Sequence, residues 1–89
     1  MGISDTNVKE FYNAILKLKT QEDCALFFED LCTYKEIETM AQRLKAAKLL
    51  LEGATYEKII AETEISSATL SRVSRCVKYG KGYKQVFKK

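Results

Sequence analysis

The chain has 89 residues, a formal net charge of +3, 46% apolar side chains, four glycines, and neither proline nor histidine. That length allows one domain at most, the scarcity of turn residues argues for helices over a turn-rich sandwich, and the lack of histidine excludes most zinc chemistry. No apolar run approaches the roughly 18 residues of a membrane span and no signal-peptide core stands at the start, so a soluble, cytoplasmic protein without metal is expected.

The first helix is expected over residues 5–19. Val8, Phe11, Tyr12, Ile15 and Leu18 recur at three- and four-residue steps on one face, and Ser4 or Asp5 can cap the start. Thr20 opens a second helix over residues 21–32. Glu22 and Asp23 lie in its first turn, where the helix dipole favours acids, and Cys24, Phe27, Phe28 and Leu31 form its buried stripe.

The third and longest helix is expected over residues 34–52, with Thr33 and Glu36 at capping-box spacing. Ile37, Met40, Ala41, Leu44, Ala47, Lys48 and Leu51 trace its stripe, which Ala46, Leu49 and Leu50 widen. A stripe this broad suits contact with more than one neighbour. Gly53 ends the helix as a residue that accepts positive φ. Thr55 caps a fourth helix over residues 56–62, residues 63–65 turn, and Ser66 caps a fifth over residues 67–78. Gly80 and Gly82 break it, and a last short helix spans residues 83–87.

The charge is unevenly placed. No Asp or Glu occurs from Ile65 to the end, a segment of formal charge +7, whereas residues 1–64 hold twelve acids and eight bases, a charge of −4. A helix pair followed by an acid-free basic segment is what a polyphosphate partner selects. Residues 54–78 fit a helix-turn-helix: Tyr56, Ile59 and Ile60 can brace Leu70 and Val73, while Ser67, Ala68, Thr69 and Ser71 are small or polar at the end that enters a major groove. Ser66 leaves backbone N–H groups free to hold a phosphate. Arg72, Arg75 and Lys78 supply charge for phosphates or a guanine edge. Glu64 stands at the turn position that many such units fill with glycine, and positive φ there costs about 1 kcal/mol.

These residues carry a resemblance over most of the chain. The FYNAILKLK opening, the FFEDLCT segment, EIETMAQRL, the LLLEG turn and the TYEKI…SSATLSRVSRC pair resemble the tryptophan-repressor superfamily, in particular its YerC/YecD-type Trp-repressor-related branch. The resemblance implies an all-α fold: a helix-turn-helix within a five- to six-helix, intertwined homodimer that binds palindromic operator DNA. It divides the single domain into dimerisation helices (residues 1–53), the helix-turn-helix (54–78) and a basic tail (79–89). It also implies that Ser67, Ala68 and Ser71 face the groove and that Lys58 lies near DNA, with Ala61 replacing a further lysine. Thr33, Arg43 and Arg72 stand where the superfamily holds its corepressor. Two neighbours depart: Val73 replaces a glycine and fills space an indole needs, and Cys76 replaces a serine with a poorer acceptor for ammonium. Tight tryptophan binding is therefore not expected, no cofactor is required, and any corepressor would be another small molecule. The same residues have plain alternatives, Thr33 as a cap with Glu36, Arg43 paired with Glu36 or Glu38 on its own helix or with an acid across the dimer, and Arg72 on phosphate.

Homodimeric, sequence-specific transcriptional regulation, as a repressor on double-stranded DNA, is the leading function. The alternative is a protein-interaction module whose basic tail binds an acidic partner. Catalysis is disfavoured, with no histidine, no phosphate loop, and no base beside Cys76. Cys24, Cys32 and Cys76 are odd in number and read as reduced, mostly buried thiols.

Overall fold

The computed structural model describes residues 5–88 and contains six helices and no strand among them: α1 (Asp5–Leu16), α2 (Gln21–Leu31), α3 (Tyr34–Leu51), α4 (Tyr56–Thr63), α5 (Ser67–Tyr79) and α6 (Gly82–Val86). They fall into two compact units, Met1–Tyr34 and Lys35–Lys89. Ser4, one of the two caps expected for α1, lies outside the described residues, as does the last lysine of the basic tail.

In the first unit, α1 stops three residues short of the expected end. The cause is the cap of α2. Thr20 Oγ1 accepts from the Asp23 N–H at 3.0 Å, and the Asp23 carboxylate accepts from the Lys19 N–H at 3.1 Å. That pairing holds Lys19 and Thr20 outside a helix, so α1 closes with i→i−3 bonds from Lys17 and Leu18. Neither α1 nor α2 has a buried residue within the single chain. Leu16 of α1 is 79% exposed; on α2, Leu31 is 51% exposed and Cys24 is exposed while Phe27 and Phe28 are half-buried, so the stripe expected to be buried on α2 is only partly covered by this chain. The thiols follow suit: Cys24 and Cys76 are exposed and Cys32 half-buried, correcting the expectation of buried cysteines.

The second unit holds the core. Ala46, Ala47 and Leu49 of α3 meet Ile59 of α4, Ile65 of the turn, and Leu70 and Val73 of α5. The face of α3 that buries is the one expected only to widen the stripe. Of the stripe itself Ala47 alone is buried, while Met40, Leu44 and Leu51 stay exposed. The reason is the direction taken by the chain after α3. Gly53 adopts φ +87°. Its N–H bonds the Leu50 carbonyl and the Ala54 N–H the Leu49 carbonyl, a Schellman closure that directs α4 toward the Ala46–Leu49 side.

The α4–α5 turn runs through the left-handed region at Glu64, φ 61° and ψ 18°. Thr63, itself buried, donates from Oγ1 to the Ile59 carbonyl at 2.7 Å and accepts from the Ile65 N–H at 3.4 Å. The turn thus keeps its polar groups satisfied while Ile65 enters the core. Of the three expected braces only Ile59 is buried; Tyr56 and Ile60 are exposed, because a helix of eight residues presents one narrow side to α5.

Gly80 does end α5. Its extended backbone needs no glycine, but a Cβ there would lie 2.6 Å from the Cys76 carbonyl oxygen that accepts the Gly80 N–H. Gly82, expected as a second breaker, instead opens α6. Tyr83 and Phe87 pack on the core's edge, and Lys84 Nζ donates to the Lys78 carbonyl at 3.2 Å. The basic segment is therefore folded back onto α5.

Because Glu64 carries a Cβ in a conformation that favours glycine, Glu64→Gly is expected to stabilise the fold by about 0.5 kcal/mol after glycine's extra unfolded-state entropy is counted. Thermal melting followed by circular dichroism should show a midpoint raised by a few degrees; an unchanged or lower midpoint would mean the turn is not strained.

Candidate nucleic-acid interface

The outward side of α5 follows from its inward side. Leu70, Val73 and Val77 turn toward the core, so the opposite side of a 3.6-residue helix carries Ala68, Ser71, Arg72 and Arg75, with Lys78 one turn further. All five are exposed, as is Ser67. Polar and small residues cluster at the N-terminal end and cations toward the C-terminal end, where the dipole also favours them. The sequence had placed these residues together, and the structure does so.

Ser66 is the N-cap. Its Oγ accepts from the Thr69 N–H at 3.1 Å and donates to Thr69 Oγ1 at 3.0 Å. Thr69 is half-buried, and its hydroxyl is engaged in the cap by Ser66. The first turns of α1 to α4 each carry an acid, Asp5, Glu22 with Asp23, Glu36 and Glu57. That of α5 carries none. Its positive end is not neutralised by its own side chains, which leaves it suited to an anion.

Lys58 lies in the first turn of α4 and is exposed, with Nζ 3.9 Å from the Glu62 carboxylate. An exposed i,i+4 pair of this kind holds the lysine loosely. Lys78 lies 5.5 Å from the ring centroid of Tyr79, which is itself exposed.

The positions singled out for a small ligand differ in burial. Val73 is 2% exposed and belongs to the core, whereas Arg72 and Cys76 on the same helix, and Arg43 on α3, are exposed. Thr33 belongs to the other compact unit. Among the described residues, no group of three or more His, Cys, Asp or Glu could hold a metal ion, and no helix is long and apolar enough to cross a membrane.

Two supporting residues were missed in the sequence. Thr63 locks the turn that leads into α5; a threonine four residues after Ile59, at a helix end, was the available signal. Lys84 caps the end of α5 from across a turn, a contact for which no local pattern exists.

The family model described as Trp repressor protein matches residues 6–89. The uncharacterized protein YerC of Bacillus subtilis is 55% identical over 71 residues, spanning 80% of this chain and 68% of that one. A crystal structure of a candidate Trp repressor from Staphylococcus aureus shares 40% identity with a TM-score of 0.88, covering 93% of this chain and 84% of that one. A TrpR-like protein from Eubacterium eligens shares 44% identity with a TM-score of 0.90, covering 94% and 88%.

Ser66→Ala removes the hydroxyl that caps α5 and partners Thr69. It is expected to cost about 1 kcal/mol, read in urea titrations as a lower midpoint with an unchanged slope. No change would mean that the cap is replaced by water.

Proposed function

The chain belongs to the Trp repressor protein family, a family of DNA-binding regulators, and on that premise we propose that it is a homodimeric, sequence-specific repressor acting on palindromic operators. The observation that carries the proposal is the outward face of α5: exposed Ser67, Ala68, Ser71, Arg72, Arg75 and Lys78 on a helix whose first turn holds no acid, within a segment of charge +7. In this reading Lys58, Arg72, Arg75 and Lys78 meet phosphates and fix the docking, and Ser66 holds a phosphate at the helix cap. Ser67, Ala68, Thr69 and Ser71 approach the base edges. Side chains this small discriminate bases weakly, so groove shape and deformability contribute much of the sequence choice.

A second copy is the proposed cover for the apolar faces that the single chain leaves open. Val8, Phe11, Tyr12 and Leu16 of α1, Leu26 and Leu31 of α2, and Met40, Leu44 and Leu51 of α3 are all exposed. A short chain stabilises such faces by association. Residues 1–53 would then form the shared interface, and two α5 helices would address successive half-sites about one duplex turn apart.

Tryptophan is not the proposed effector. Val73 fills the core position in this chain, and Cys76 offers a thiol where the superfamily has a hydroxyl. Thr33, Arg43 and Arg72 would serve a different small corepressor or none. Family membership points away from catalysis, and the proposed setting is the cytoplasm. The interaction-module alternative, with the basic segment on an acidic protein, gains no specific observation from the fold.

Sequences selected from a random duplex pool, with and without L-tryptophan, should give one two-fold symmetric consensus that the amino acid does not alter. An asymmetric consensus would remove the dimer, and a tryptophan-dependent one would restore the corepressor. Arg75→Ala should weaken binding to selected and random duplexes alike and lower the slope of log affinity against log salt by about one unit per reading head. An unchanged slope would remove Arg75 from the phosphate contacts.

A further inference from the structure

The turn that presents α5 contains a residue its own backbone does not favour. Among the described residues Glu64 is the one non-glycine with positive φ. It is exposed, and its carboxylate has no hydrogen bond or ion pair to a described residue. The closure of the turn is made by Thr63 and by the Glu64 N–H, which donates to the Ile60 carbonyl; none of it uses the carboxylate. Glycine would serve the backbone better. A strained side chain kept in an over-determined turn points to a role outside local stability.

Its place in the charge pattern suggests that role. Glu64 is the last acid in the chain, and the whole segment after it carries +7. Ser67 is three positions further on, so the two Cα atoms lie within about 11 Å, comparable with the screening length at physiological salt. Glu62, two residues earlier, is already matched by Lys58 at 3.9 Å. Glu64 is therefore the acid nearest in sequence to the N-terminus of α5, and it has no ion pair to a described residue.

We propose that Glu64 is an electrostatic brake: its carboxylate repels duplex phosphates at the reading head and keeps sequence-independent binding weak. The inference rests on the DNA-binding function proposed above. A chain with a +7 segment would otherwise adhere to any duplex, and random sites vastly outnumber operators. A like charge near the phosphates lowers that background without touching the contacts that Ser67 to Ser71 make with bases. In solvent at this range the screened repulsion corresponds to at most about a twofold effect on affinity per reading head, and about two- to fourfold when two heads engage.

Glu64→Gln tests this. It removes the charge while keeping the side-chain length and the backbone demand. The full-length chain and the variant are titrated by fluorescence anisotropy against a labelled random-sequence duplex, at about 50 mM and about 200 mM salt, with thermal midpoints measured in parallel. The expected result is about two- to fourfold tighter binding by the variant at the lower salt, a smaller difference at the higher salt, and an unmoved midpoint. Equal affinities, both measurable, overturn the brake and leave the DNA-binding function standing. Weaker binding by the variant also overturns it, because the carboxylate would then make a favourable contact. A wild-type chain with no affinity for either a random duplex or a selected one overturns both.

Discussion

Ile59 and Leu70 are fully buried, and the way they meet governs the rest of the second unit. Two helices as short as α4 and α5 cannot hold each other by their own propensity. They are held because the turn between them delivers Ile65 into the same cluster and because Thr63 satisfies the backbone on both sides of it. The left-handed Glu64 is what makes the chain turn sharply enough. Loss of that geometry would release Leu70 and Val73, and with them the orientation of every exposed residue on α5.

Once Leu70, Val73 and Val77 face inward, helical periodicity leaves no freedom over what faces outward. Arg72 and Arg75 project from the core-free side for the same reason that Val73 does not. The cap at Ser66 and the bond from Lys84 to the Lys78 carbonyl finish the two ends of α5. Fixing both ends keeps the outward row straight and its positive N-terminus exposed. This is a small rigid platform, and its chemistry is that of charge and close approach.

The first unit presents the opposite situation. Its helices are amphipathic, yet neither buries a residue within the chain. Burial of apolar area is the main stabilising term in folding, so faces that carry Phe11, Leu16 and Leu31 have energy still to gain. The proposed second copy supplies it. In the second unit the exposed side of α3, with Met40, Leu44 and Leu51, is likewise uncovered by the single chain. In this view the two units divide the labour: the second builds a reading head alone, and the first becomes useful only by association.

Local chemistry made much of this legible in the sequence. Thr20, Thr55 and Ser66 are caps because a hydroxyl before a helix has a free N–H to accept from, and the structure has all three. Gly53 was legible because positive φ belongs to glycine, and Glu64 because it stood where glycine was expected. The outward residues of α5 followed from periodicity, and the acid-free segment from counting. What the tertiary structure alone decided was which face each helix would bury. Helix α3 is apolar around much of its girth, and only the direction set by the Schellman closure at Gly53 selected Ala46, Ala47 and Leu49. The inward packing of Tyr83 and Phe87 belongs to the same class, as does the exposure of Tyr56 and Ile60. Hydrophobic pattern says that a side chain prefers to leave water; it does not say which neighbour will be there, because that depends on residues distant in the chain.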